Sequence, residues 1–269
     1  MKAATVRIRG AAMAVFEPQD ESLPEASRPD APLLVWAHGW GHTHRNMLPL
    51  AEAARLGHSV LLDLPGFGDS PPPPAAWGTA DYADAVAEFL AARFAADGAA
   101  RRRVWIGHSF GCRVGLQLAA RHPGLISGLF LIAAAGLPRT RSLPERARLA
   151  ARRLAFRAAR RLTPEGPRRE ALRARFGSAD YARAGPLRPI LVKAVGEDLS
   201  ETARRVRCPS VLLYGDRDAE TPPEIGARLN KLMPQSQLIV LRGFDHWSVL
   251  TDGRHQIVQR LSEFVEQIA

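Results

Sequence analysis

Cysteine is scarce: Cys112 and Cys208 are the only two in 269 residues. They lie far apart and lack metal-ligand spacing, so no disulfide framework is expected, and two free thiols suit a reducing cytoplasm. No run of about 18 apolar residues occurs, which leaves no membrane-spanning helix to expect. The opening MKAATVRIRG lacks the apolar core of a signal peptide. It alternates Val6 and Ile8 with Arg7 and Arg9, a strand pattern. Internal repeats are absent. The length suits one large α/β domain with a small insertion, or two domains, and the mix of apolar and charged residues is that of a globular protein.

Acidic residues are also in the minority, 27 against 37 Lys and Arg, but the imbalance is local. From Arg139 to Arg207 there are 19 Lys and Arg against 7 Asp and Glu, a net +12, so the rest of the chain is slightly acidic. That argues against a general nucleic-acid binder and for one basic insertion.

Six apolar runs share one format, a short apolar segment ending in a turn: PLLVWAHGWG (32–41), HSVLLDLPGFG (58–68), RVWIGHSFG (103–111), ISGLFLIAAAG (126–136), PSVLLYGDRD (209–218) and SQLIVLRGFDHW (236–247). Continuous rather than alternating apolar runs suit strands buried on both faces. Helical patterns separate or follow them at about 45–55, 79–97, 111–121, 223–233 and 252–267. In the last, Ile257, Leu261, Phe264, Val265 and Ile268 mark one face. Strands alternating with helices imply an α/β fold with a doubly wound, mainly parallel sheet. TVRIRG and AMAVFEP read as an antiparallel hairpin at its edge. PPPP (71–74) is a loop. Residues 138–200 break the alternation with helical segments at 146–162, 170–177 and 189–199, punctuated by Pro144, Pro164, Pro167, Pro186 and Pro189. In the first segment Leu154 and Phe156 with Leu162 suggest a narrow packed face.

Gly107-His108-Ser109-Phe110-Gly111 fits G-x-S-x-G between a strand run and a helix run, the context of a nucleophile elbow. A hydroxyl is a poor nucleophile at neutral pH and needs a base. Eight histidines are candidates: His38, His42, His44, His58, His108, His122, His246 and His255. His246 follows the last strand run and falls at the same sheet edge as the elbow, so it is the expected base. His108 reads as structural, and His58 and His122 as surface residues. LLYGDRDAETPP supplies the orienting acid, Asp218, with Asp216 as the alternative that otherwise shapes the turn. The oxyanion donors are expected at the backbone N–H of Phe110 and of Trp40 in the Gly-rich turn His38-Gly39-Trp40-Gly41. His38, Arg188 and Trp247 are the candidate substrate contacts. No metal or cofactor is expected.

HGWG (38–41), DLPGFGDS (63–70), GHSFG (107–111), GDRDAETPP (215–223) and FDHW (244–247), in this order, resemble the α/β-hydrolases across almost the full chain. The order Ser–Asp–His is the family's. The resemblance implies a hydrolase core at 1–137 and 201–269 and a helical cap at 138–200 that shapes the pocket. It implies an acyl-enzyme esterase acting on a small-molecule acyl substrate. The alternatives are hydrolysis of a lactone, thioester, C–C or N-terminal peptide bond, or a non-catalytic ligand receptor. Ser109 argues against the dehalogenases and epoxide hydrolases of this fold, which use Asp there. Cys112 departs from the small residue, usually Gly, that follows the motif. Residues 177–199 resemble the cap exit of a bacterial subgroup of hydrolases. The Arg-rich cap is read as a solvated surface, with weak contact to an anionic surface or preference for anionic substrates as the sharper alternative.

Overall fold

A computed structural model describes residues 1–18, 31–95, 101–140, 142–164, 166, 168 and 179–268. Its eight strands are β1 (Lys2–Ile8), β2 (Ala11–Glu17), β3 (Leu33–Ala37), β4 (His58–Asp63), β5 (Arg103–His108), β6 (Gly128–Ile132), β7 (Ser210–Gly215) and β8 (Ser236–Leu241). They form one sheet in the order β1-β2-β4-β3-β5-β6-β7-β8. β3 to β8 pair in parallel, and the β1–β2 hairpin joins β4 antiparallel at one edge. The apolar runs explain the order. Every residue of β3, β6 and β7 is buried, as central strands covered on both faces must be. β1 is mostly exposed and β8 only half-buried, so the two edges are the wettest strands.

The helices of this larger unit are α1 (His44–Ala54), α2 (Thr79–Arg93), α3 (Phe110–Arg121), α7 (Ser200–Arg205), α8 (Pro223–Leu232), α9 (Ser248–Thr251) and α10 (Arg254–Gln267). Local chemistry sets their starts. Thr43 caps α1 by accepting the Arg45 N–H, and Asn46 reaches back to the Thr43 N–H. Asp81 does the same for α2 through the Gly78 N–H at 2.7 Å. The last helical pattern, expected at about 252–267, is α10, and the short α9 precedes it across the turn at Asp252-Gly253. The expected face of α10 is present: Ile257, Leu261, Phe264 and Val265 are buried against the central sheet cluster of Trp36, Leu34, Ile106 and Phe130.

Residues 138–196 form a second compact unit, distinct from 1–137 with 197–269. It holds α4 (Leu143–Leu162), α5 (Ala179–Arg183), a 3-10 turn (Gly185–Leu187) and α6 (Arg188–Gly196). α4 begins earlier than its apolar pattern suggests because Ser142 and Glu145 form a capping box, the Ser142 N–H donating to Glu145 at 2.8 Å. The narrow face expected of α4 is not formed: Leu154 and Leu162 are 69% and 86% exposed. At about 100° per residue, Phe156 sits roughly 200° around the helix from Leu154, so the two cannot share a face. The segment expected to be helical at 170–177 lies outside the described residues. Residues 197–200, expected with the insertion, pack with the sheet unit instead. The Leu199 N–H donates to Gly136 O at 2.9 Å, and Glu197 accepts the N–H of Thr79 at 3.0 Å.

Candidate active site

The turn between β5 and α3 bends more sharply than most residues tolerate. Ser109 sits at φ 48°, ψ −101°, a left-handed backbone that a side chain makes costly. The surroundings over-determine it. The Ser109 N–H donates to Ile132 O on β6 at 3.0 Å, and the Gly111 N–H to His38 O beyond β3 at 3.1 Å. The Trp105 indole donates to Gly111 O at 3.0 Å. Strand and helix approach so closely that a Cβ on Gly107 would lie 2.8 Å from the Gly111 carbonyl, and one on Gly111 would lie 2.4 Å from Ala37 O. The two glycines of the motif are therefore steric requirements of the turn that carries Ser109. Cys112, which departs from the family pattern, is buried and its thiol contacts Gly107 O and Ile132 O. Burial pushes that thiol above the ordinary range, so it is held as an inert thiol.

The β7–α8 turn and the loop after β8 bring an acid to a base. Asp218 Oδ2 lies 2.7 Å from His246 Nδ1, with both side chains out of water. A buried carboxylate needs its lone pairs filled. Here Oδ1 accepts the N–H groups of Glu220 at 2.8 Å and Thr221 at 2.7 Å, and Oδ2 also meets the Thr221 hydroxyl at 2.8 Å. Asp216 takes the other role foreseen for it: its Oδ1 accepts the Gly243 N–H at 2.6 Å and ties the two turns together. Of the two carboxylates, only Asp218 reaches the imidazole. At the far side of the ring, His246 Nε2 lies 3.6 Å from Glu220 Oε2. No hydrogen bond joins Ser109 to His246 among the described residues.

Two backbone donors flank Ser109. In the first turn of α3 the N–H groups of Gly111 and Cys112 are already bonded, to His38 O and Ser109 O. Those of Phe110 and Trp40 have no hydrogen-bond partner among the described residues. The Trp40 turn is closed by the His42 N–H on Gly39 O at 3.2 Å, with Gly41 at φ 71°. Around it the rings of Trp40, Phe67 and Phe110 meet edge-on or tilted at 4.9–5.8 Å, and Tyr82 continues the cluster against Phe110.

The remaining expected residues separate. His38, suggested by sequence as a substrate contact, is fully buried, and both ring nitrogens have main-chain partners. Nδ1 donates to Gly39 O at 2.7 Å and Nε2 accepts the Leu64 N–H at 3.1 Å. Burial lowers its pKa to about 4, so it is a neutral strut between two loops rather than a ligand-facing group. Trp247 is beside the site, stacked on His42 at 4.2 Å and edge-on to His246 at 5.0 Å, with 38% of its surface exposed. Arg188 belongs to the helical unit, where its guanidinium lies 5.2 Å over the Tyr181 ring. His108 is structural as expected: Nε2 donates to His246 O at 3.2 Å, and burial, then the neighbouring His246, holds its pKa well below the ordinary value.

Sequence reasoning missed Thr221 and Glu220, which reach the imidazole only because Asp218 folds the turn back on itself. It also missed the buried His44–Asp63 pair. Asp63 Oδ1 accepts the His44 main-chain N–H at 2.6 Å and meets its ring at 3.0 Å, and Oδ2 accepts the Asp69 N–H at 2.9 Å. This fixes the DLPGFGDS loop onto α1. Among the described residues no group of three or more His, Cys, Asp or Glu could hold a metal ion, and no helix is long and apolar enough to cross a membrane.

Comparison with known proteins places the family and the fold. The model of the alpha/beta hydrolase family matches residues 34–260. The chain is similar to the pimeloyl-[acyl-carrier protein] methyl ester esterase of Chromobacterium violaceum, 31% identical over 251 residues, covering 87% of this chain and 94% of that one. It is also similar to lipase 3 of a Moraxella species, at 27% identity over 80% of this chain and 71% of that one. The solved structure of a thermophilic esterase from Thermogutta terrifontis superposes with a TM-score of 0.68 at 19% identity, covering 100% of this chain and 99% of that one, a likeness of fold. With the model spanning most of the chain and relatives above 30% identity along most of its length, this protein belongs to the alpha/beta hydrolase family.

Proposed function

We propose that this protein is a serine hydrolase that cleaves small carboxylic esters through an acyl-enzyme on Ser109. The observation that carries the reading is the buried 2.7 Å bond between Asp218 and His246, on the same sheet edge as a serine held at φ 48°. Each group then has a role. Ser109 Oγ attacks the carbonyl carbon while His246 Nε2 takes its proton. Asp218 holds the Nδ1–H tautomer and stabilises the imidazolium. The developing oxyanion is received by the N–H groups of Phe110 and Trp40, which the fold leaves unspent. His246 returns the proton to the departing alcohol. It then activates the water that releases the acid and frees Ser109. The Ser109–His246 contact forms with substrate, as catalytic hydrogen bonds often tighten only in the complex.

An ester substrate is supported by the relatives, named as a methyl ester esterase and a lipase. Residues 138–196 are read as the helical cap of the family, and the aromatic ring cluster near Ser109 as the acyl side of the site. The Arg-rich helices of this unit suit weak contact with an anionic surface, and Arg188 with Lys193 suits anionic substrates. Neutralising both should then cost preference for anionic over neutral esters. Two free thiols support a cytoplasmic setting. The decisive test is Ser109→Ala assayed on short p-nitrophenyl esters, together with a fluorophosphonate probe. Turnover and labelling should both vanish; unchanged turnover would overturn the assignment.

A further inference from the structure

His246 is held at its ring and, separately, at its main chain. Asp218 fixes the ring at Nδ1. Asp245 Oδ1 accepts the N–H groups of Trp247 at 2.9 Å and Ser248 at 2.8 Å, which closes the turn just after the base. The carbonyl of His246 itself has one donor among the described residues, His108 Nε2 at 3.2 Å. His108 is the last residue of β5, is 1% exposed and precedes Ser109 in the chain. One hydrogen bond therefore runs from the end of the strand that carries the serine to the loop that carries the base.

A carbonyl only accepts, so the His108 proton sits on Nε2 and Nδ1 keeps its lone pair. That Nδ1 is buried without a hydrogen-bond partner. It faces the Gly39 backbone: a Cβ on Gly39 would lie 2.7 Å from it and 3.5 Å from Ser109 Cβ. A buried acceptor left short is unfavourable, and a phenyl ring of similar size would avoid that loss. What an imidazole adds at this position is the single bond from Nε2. The geometry also divides the labour between two neighbouring rings, whose centroids are 4.8 Å apart. His246 has the Asp218 carboxylate to balance a proton. His108 has no carboxylate bonded to it, and burial, then the neighbouring His246, keeps it neutral. His108 thus stays a fixed donor while His246 gains and loses its proton.

We infer that His108 is a positioning residue for the base: its Nε2–H pins the His246 carbonyl to the end of β5 and so holds the His246 ring where Ser109 can deliver its proton. The inference rests on the Ser109–His246 reading.

The test compares two variants of the full chain. His108→Phe keeps a ring and removes the donor, whereas His108→Gln offers an amide N–H at a similar reach. The readouts are kcat and KM on a short p-nitrophenyl ester and the rate of fluorophosphonate labelling at Ser109. In His108→Phe, kcat and the labelling rate should both fall about 10- to 100-fold with KM within about twofold, because a slightly misplaced base slows the chemistry while the ester is held elsewhere. His108→Gln should recover kcat to within about fivefold of the wild type. A phenylalanine variant with kcat within about twofold of the wild type overturns the inference. So does a glutamine variant no faster than the phenylalanine one, which would make the shape of the ring, not its proton, the requirement. Both results leave the esterase reading intact. Turnover that survives Ser109→Ala overturns the esterase reading itself, and the role of His108 with it. If His108→Phe does not fold, His108→Leu takes its place.

Discussion

Asp218 Oδ2 lies 2.7 Å from His246 Nδ1, and neither side chain is more than 4% exposed. Two residues earlier, Asp216 spends its carboxylate on the Gly243 N–H instead. The two acids are close in sequence and do different physical work. One orients an imidazole; the other ties a turn.

That difference makes a paired prediction. Asp218→Asn keeps the shape but loses the carboxylate that fixes the Nδ1–H tautomer, so ester kcat should fall by about 10³ to 10⁴. Asp216→Ala removes one acceptor from a largely exposed turn, so it should cost about 1 kcal/mol of stability and less than about tenfold in kcat. Steady-state kinetics and urea unfolding on both variants separate the roles. Equal losses of kcat would refute the division.

Much of the fold was legible because its physical causes are local. Continuous apolar runs such as LLVWA and GLFLI can be sheltered only in the middle of a sheet, and β3 and β6 lie there. The candidate elbow was legible because close strand–helix approach needs Gly107 and Gly111, whose missing side chains are visible in the sequence. The role of His38 was not legible. Its neighbours suggest a ligand-facing loop, but the Leu64 N–H that occupies Nε2 arrives from a different strand end, 26 residues away. Glu220 was hidden for a similar reason, since its distance to His246 depends on how Asp218 closes the turn. α4 defeats periodicity because its apolar residues do not fall on one face, and arginines fill the rest.

Ser109 is strained, and the strain has a measurable price. A left-handed serine costs about 1–3 kcal/mol, whereas glycine adopts the same backbone without a Cβ clash. Ser109→Gly loses some of that gain to the greater freedom of the unfolded chain. The expected result is a protein about 1 kcal/mol more stable than the wild type and without esterase activity. Thermal and denaturant unfolding measure the first, and ester hydrolysis the second. A destabilised variant would show that the backbone at this turn is not strained.

Stability should fall with acid through a window set by buried histidines. The pKa of His38 is lowered by burial to about 4 from its ordinary 6.5, so the unfolded chain binds a proton between these values that the native protein refuses. The native state is therefore fully favoured above pH 6.5 and loses up to about 3 kcal/mol as the pH drops toward 4. His108 is shifted the same way and steepens the slope. Asp84 acts in a lower range: the hydrogen bond from Arg121 lowers its pKa below the ordinary 3.8, so its contribution persists above that value and is lost only in stronger acid. Urea unfolding at pH 7.5, 6.0 and 5.0 should show the fall. His38→Gln should reduce its slope by about 1.4 kcal/mol per pH unit, one proton's worth. An unchanged slope would mean that His38 titrates normally in the native protein.

Thr221 should matter more for turnover than for binding. Its hydroxyl lies between three groups: Asp218 Oδ2 at 2.8 Å, Ala133 O at 3.0 Å and His246 Nδ1 at 3.2 Å. It has one proton to give, so it donates to the carboxylate or to the carbonyl and braces the Asp218–His246 pair either way. Thr221→Val keeps the volume and removes the hydroxyl. One buried acceptor then goes short, which costs about 1–2 kcal/mol of stability. The carboxylate gains freedom to turn away from Nδ1. An imidazole oriented less well should lower kcat by about 10-fold, since small misplacements of a catalytic group are costly. KM should stay within about twofold, because Thr221 sits behind the ring and the ester is held elsewhere. Thr221→Ser, which restores the hydroxyl, should recover most of the loss. A Val variant with wild-type kcat would show that the main-chain N–H groups on Asp218 Oδ1 hold the pair without help.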